Sequence, residues 1–126
     1  MLSNAGAAAT IAVRDLDAAK QYYTETLGLK IADDISPAAI FFEAGGGSRV
    51  LVYPRPNHEP SAATIATFEV SDTAETVATL KSKGVTFEDY DFPGLKTENG
   101  IATLPSGTKA AWFTDPDGNI ISIVDR

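Results

Sequence analysis

The chain has 126 residues, no cysteine, a single histidine and a formal net charge of −7, which describes one soluble domain able to bury a core without disulfides or a structural metal. The lack of cysteine excludes thiolate catalysis and Cys-ligated zinc or iron–sulfur centres, and the lone His58 excludes any two-histidine metal site. Lys and Arg are scattered singly in an acidic chain, which argues against binding nucleic acid through its phosphates. No apolar run approaches the roughly 20 residues of a membrane span, and the start, Met1-Leu2-Ser3-Asn4-Ala5-Gly6, has no basic segment leading into an apolar run. The expectation is a cytoplasmic protein whose partners are small molecules or other proteins, with no nucleic acid and no membrane.

Two segments of the chain match in register. Ala9-Thr10-Ile11-Ala12-Val13-Arg14-Asp15 leads into Leu16–Leu27 and ends at Gly28; Ala66-Thr67-Phe68-Glu69-Val70-Ser71-Asp72 leads into Thr73–Lys83 and ends at Gly84. Each is a β-rich run, an Asp where a helix N-cap belongs, about three turns of helix formers, and a Gly suited to a left-handed C-terminal cap. Asp72 and Glu75 have capping-box spacing, so these carboxylates are read as partners of backbone N–H groups rather than catalysts. Runs of strand character follow each helix: Lys30–Asp34, Ala39–Glu43 and Arg49–Tyr53, then Thr86–Tyr90, Lys109–Phe113 and Asn119–Asp125. Each half is therefore βαβββ. Ala44-Gly45-Gly46-Gly47-Ser48 and Asp115-Pro116-Asp117-Gly118 are hairpin turns. The first module spans 7–54, a proline-rich linker 55–62, and the second module 63–126. Residues Asp91–Ser106, rich in Gly, Pro and polar residues, read as an extra loop, either a lid or an uneventful surface excursion. No phosphate-binding glycine motif is present, since Gly45–Gly47 lies between two strands.

The opening Val13-Arg14-Asp15-Leu16-Asp17-Ala18-Ala19…Tyr22-Tyr23…Leu27-Gly28-Leu29 and the closing Trp112-Phe113-Thr114-Asp115-Pro116-Asp117-Gly118-Asn119-Ile120-Ile121 resemble the vicinal oxygen chelate superfamily. It includes glyoxalase I, extradiol dioxygenases, fosfomycin-resistance enzymes and bleomycin-resistance proteins, and the resemblance spans nearly the whole chain. It implies an α+β fold in which two tandem βαβββ modules form a curled mixed sheet around a cleft, with the helices on the convex face. Strand alternation then turns Ile11, Val13, Val50, Val52, Ile121 and Ile123 toward the helices, with Phe68 and Val70. The opposite face carries Ala8, Thr10, Ala12, Arg49, Leu51, Tyr53, Ile65, Thr67, Glu69, Ile120, Ser122 and Val124, a smaller and more polar set suited to lining a cavity.

Metal-using members of that superfamily place ligands at four quasi-symmetric points, which here hold Ala8, Leu51, Ile65 and Ser122. Three have no side-chain donor atom and Ser122 offers a neutral hydroxyl, so no metal and no cofactor is expected. Without the ion the shared chemistry of glyoxalase isomerisation and ring cleavage is lost, while the pocket remains. Ligand-binding candidates are Thr10, Arg49, Tyr53, Thr67, Glu69, Trp112 and Ser122. Trp112 either stacks on a flat ligand or packs under the long loop, and Tyr53 either presents its hydroxyl inward or is a half-exposed strand end. Glu69 is the one candidate catalytic residue: burial in an apolar concave face would favour its neutral acid and make it a possible general base, the other reading being a salt bridge with Arg49. His58 reads as a solvated linker residue, and one of Tyr22 and Tyr23 as helix-to-sheet packing.

The resulting expectation is a metal-independent binding protein that sequesters a planar or aromatic compound, in a homodimer implied by the resemblance. The alternatives are an enzyme, either a glyoxalase-like lyase or isomerase or a dioxygenase-related enzyme, with a metal-free site using Glu69 or a non-standard one whose metal ligands lie away from the family positions, and a protein-interaction module whose dimer surface is its output.

Overall fold

The structure is a computed structural model that describes residues 1–125. The chain divides into two compact units, Met1–Glu59 and a second that begins at Pro60.

In the first unit β1 (Ala8–Val13) leads into α1 (Leu16–Gln21), which continues as a π-helical turn over Tyr22–Thr26. Then come β2 (Lys30–Asp34), β3 (Ile40–Glu43) and β4 (Arg49–Pro54). The helix starts where Asp15 accepts a hydrogen bond from the Ala18 N–H at 3.1 Å, and Gly28 follows its end with φ +75°. The sheet runs β1-β4-β3-β2, with β1 parallel to β4 and the other pairs antiparallel. Ile11, Val13, Val50 and Val52 are buried as alternation requires, together with Ile40 and Phe42. Tyr23 is the packing tyrosine of its pair: it is buried with its ring 5.7 Å from that of Phe42, while Tyr22 is half-buried.

The second unit repeats the plan. β5 (Thr64–Val70) feeds α2 (Thr73–Ser82), capped by Asp72 accepting from the Glu75 N–H at 3.0 Å, and β9 (Lys109–Thr114) and β10 (Ile120–Asp125) close the module. β10 pairs parallel with β5 and antiparallel with β9, the same arrangement that β4 makes with β1 and β3. α2 lies against β9 and β10. At its start the Thr73 hydroxyl donates to the Lys109 carbonyl at 3.1 Å. The Lys109 N–H in turn donates to Asp125, and this bond holds the Asp125 carboxyl below its usual range. The chain is therefore α+β, built of two mixed sheets with few helices.

Two expectations are corrected in the second unit. Thr86–Tyr90 is not a strand: Phe87 makes only an isolated bridge to Phe113, and the Glu88 N–H donates to the Trp112 carbonyl at 2.8 Å. The place beside β9 in the ladder is taken instead by residues of the supposed loop. Residues 91–106 contain β6 (Asp91–Phe92), β7 (Leu95–Glu98) and β8 (Ile101–Thr103), which extend the sheet to the order β5-β10-β9-β8-β7-β6. The turn between β7 and β8 is Asn99-Gly100, with φ of 54° and 82°, the two-residue hairpin that needs positive φ at both positions.

One surface contact carries a pH prediction. Asp34 accepts from the Ser36 hydroxyl and lies 3.0 Å from the Lys20 ammonium, and these partners lower its carboxyl from the ordinary 3.8 to about 2. The folded chain therefore holds this proton less readily than the unfolded chain. The contribution is complete above the unfolded value and is lost as pH falls from roughly 4 toward 2. Urea unfolding of the wild type and Asp34→Asn at pH 6 and pH 2.5 should show a stability gap that narrows at the lower pH; an equal gap at both would contradict the assignment.

Candidate functional site

The two sheets each present a polar face, and register places the candidate residues on them. In the second unit Ser122 of β10 is directly opposite Thr67 on β5 and Trp112 on β9, so their side chains share one face. Ser122 is 4 % exposed, and its hydroxyl is 2.7 Å from that of Thr67. Each hydroxyl can donate to the other and still accept from a ligand or water. Thr67 itself is exposed.

Trp112 is half-buried and meets Tyr90 edge to face, with ring centroids 5.4 Å apart. Tyr90 stacks on Phe92 at 5.6 Å, and Phe92 is 57 % exposed. A run of three rings thus leads from the sheet face toward solvent, a surface on which a flat molecule gains stacking as well as burial. Burial and the nearby Glu88 charge raise the Tyr90 phenol, so it stays protonated and able to donate. Sequence reasoning missed Tyr90 because it assigned that residue to a strand; the signal available was its place at the edge of the aromatic-rich 87–92 segment.

Glu69 lies on the same strand face two residues beyond Thr67, opposite Val124. It is exposed. The burial on which its role as a general base was argued is absent in the single chain, because alternation assigns a side chain to a face but does not say what covers that face.

In the first unit Thr10, Arg49 and Tyr53 fall on the face opposite the buried set, with Thr10 exposed and Tyr53 half-buried. The Arg49 guanidinium sits 4.3 Å from the centre of the Phe41 ring. Phe41 was missed: the five-residue turn Ala44–Ser48 closes the pair Glu43 and Arg49, which places Phe41 on Arg49's face and Phe42 in the core. Counting that turn back from Arg49 would have found it. His58 is half-buried rather than fully solvated, and its N–H donates to the Arg55 carbonyl at 2.8 Å.

For a divalent cation the residues do not fit. Ala8, Leu51 and Ile65 carry no donor atom, and the Ser122 hydroxyl is a neutral group already hydrogen-bonded to Thr67. Among the described residues no group of three or more His, Cys, Asp or Glu is placed to hold a metal ion.

These two units, each a strand and a helix followed by antiparallel strands of which the last returns parallel to the first, define the class of protein. The chain belongs to the Glyoxalase/Bleomycin resistance protein/Dioxygenase superfamily, whose model matches residues 7–123. It is similar in structure to a member of that superfamily from Sphaerobacter thermophilus DSM 20745, at 25% identity and TM-score 0.76 over 100% of both chains. It is also similar in fold to the bleomycin resistance determinant encoded on the transposon Tn5, at 21% identity and TM-score 0.74 over 95% of this chain and 96% of that one. A bleomycin-binding protein complexed with bleomycin shares the fold at 21% identity and TM-score 0.73, over 95% of this chain and 97% of the other. No curated protein matches the sequence. Among the described residues no helix is long and apolar enough to cross a membrane.

Proposed function

We propose that the chain is a metal-independent small-molecule binding protein that holds a planar or aromatic compound on its polar sheet faces. The observation that carries this reading is what stands where the resemblance implies metal ligands: Ala8, Leu51 and Ile65 have no side-chain donor and Ser122 only a neutral hydroxyl, while Thr67, Ser122 and Trp112 offer hydroxyls and a ring side by side. The likeness in fold to a bleomycin-binding protein complexed with bleomycin supports the small-molecule part of this reading. Thr67 and Ser122 would orient the ligand's polar edge, and Trp112 with Tyr90 and Phe92 would take its ring.

A second copy of the chain is part of the proposal. β2 is an edge strand with all five residues exposed, and Ile31, Ile35 and Phe92 are large apolar side chains left open to solvent. A homodimer that covers such edges is twice the 13.3 kDa chain mass by light scattering; a monomer at working concentration would contradict this part. Thermal-shift titration with divalent ions and with planar compounds tests the binding reading itself. Trp112, the one tryptophan, serves as a fluorescent reporter in the same samples.

A further inference from the structure

The first unit contains a cavity of about 340 Å³ lined by Gly6, Ala7, Ala8, Phe41, Gly47 and Arg49. Its volume is at the lower end of the range for small-ligand sites. Four of the six residues are glycine or alanine, so the space exists because the chain has no side chains to fill it. At Gly47, which has φ +77°, a Cβ would meet open space. The two remaining residues supply all the recognition chemistry: an aromatic face and a guanidinium.

Arg49 makes an unusual choice of partner. Its cross-strand neighbour is Glu43, and opposite charges directly across a ladder ordinarily pair. The guanidinium lies over Phe41 instead, and among the described residues no carboxylate is within ion-pair distance of it. A ring offers the guanidinium no oxygen acceptor, so this contact leaves its N–H groups for a ligand, and a guanidinium fork receives a carboxylate or phosphate by two parallel hydrogen bonds. In a chain with net charge −7, an arginine at the wall of a cavity that forms no ion pair even with the acid opposite it is a specific feature.

We infer that this cavity binds the anionic end of a small planar ligand, the Arg49 fork taking a carboxylate or phosphate and Phe41 taking the adjoining ring. The inference rests on the binding-protein reading above and adds to it a separate site in the first unit with its own ligand chemistry: one flat apolar body bearing one negative group. Small residues at 6–8 make the room, so a larger side chain at Ala7 closes it.

The test uses the full chain and three probes of similar shape, benzoate, phenyl phosphate and the neutral benzamide, with affinity read by NMR titration. Either anion should bind at least tenfold tighter than benzamide, and which of the two binds better identifies the headgroup. Arg49→Gln should erase the preference, so that the anions bind that variant no tighter than benzamide does, and Ala7→Leu should abolish binding of all three with little change in melting temperature. Equal binding of benzoate, phenyl phosphate and benzamide would overturn the inference, as would an anion preference that survives in Arg49→Gln. The two proposals fail separately: a neutral or cationic planar compound that stabilises the protein while the anions do not leaves the binding reading standing, whereas no response to any planar compound removes both.

Discussion

Replacing Phe42 by alanine should lower the unfolding free energy by about 3–5 kcal/mol, the cost of emptying a large buried aromatic site. Phe42 is fully buried in β3, between β2 and β4, and its ring lies against Tyr23 from the helix above. Phe41, one residue earlier, is half-buried and stacked under Arg49, so Phe41→Ala should cost under about 1.5 kcal/mol, the scale of an exposed cation–π contact plus partial burial. Urea denaturation of both variants, with the slope unchanged, measures the difference directly. A larger loss for Phe41 would mean that the strand is turned over, and with it the assignment of Arg49 to an open face.

The second large effect is expected at Asp115. This carboxylate is buried and closes the hairpin turn between β9 and β10: one oxygen accepts from the backbone N–H groups of Asp117 and Asn119, each at 2.9 Å, and the other from the Asn119 side-chain amide at 2.9 Å. Asn119 is buried as well. Asp115→Ala removes the acceptor and leaves these donors without it in a place water reaches poorly, a cost of about 3 kcal/mol. Asp115→Asn keeps one oxygen and should lose roughly half as much. The consequence extends to the site, because this turn sets the register that puts Ser122 opposite Trp112, and a one-residue slip of β10 would send Ser122 to the face away from Trp112. Denaturation midpoints of the two variants check the energies; an alanine variant within 1 kcal/mol of wild type, roughly the size of one ordinary hydrogen bond, would refute the role.

Local chemistry made much of this fold legible. Asp15 and Asp72 cap helices, and Gly28 and Gly84 follow helix ends, because each depends only on residues within a turn of it. The buried alternation of Ile11, Val13, Val50 and Val52 was readable for the same reason. What was not legible depended on pairing at a distance. The run 91–106 looks like a loop by composition, yet its Asn99-Gly100 pair makes a hairpin, and β8 then occupies the ladder position that Thr86–Tyr90 would need. The parity of Phe41 and Phe42 follows from where the Ala44–Ser48 turn closes, which only the register with Arg49 decides. Glu69 shows the limit for the site: its face was readable, while its exposure depends on what lies over that face.

The central claim is that a ligand, with no metal, occupies the site, and thermal unfolding of chelator-treated protein tests it most directly. Manganese, nickel, zinc and iron(II) should leave the melting temperature unchanged. At least one planar compound should raise it in a concentration-dependent way and perturb Trp112 fluorescence, since a ligand that prefers the native state stabilises it by about 2.7 kcal/mol at a hundredfold excess over Kd. A saturable rise with one divalent ion at one equivalent per chain would contradict the account, because Ala8, Leu51 and Ile65 have no side-chain donor and Ser122 has only a neutral hydroxyl.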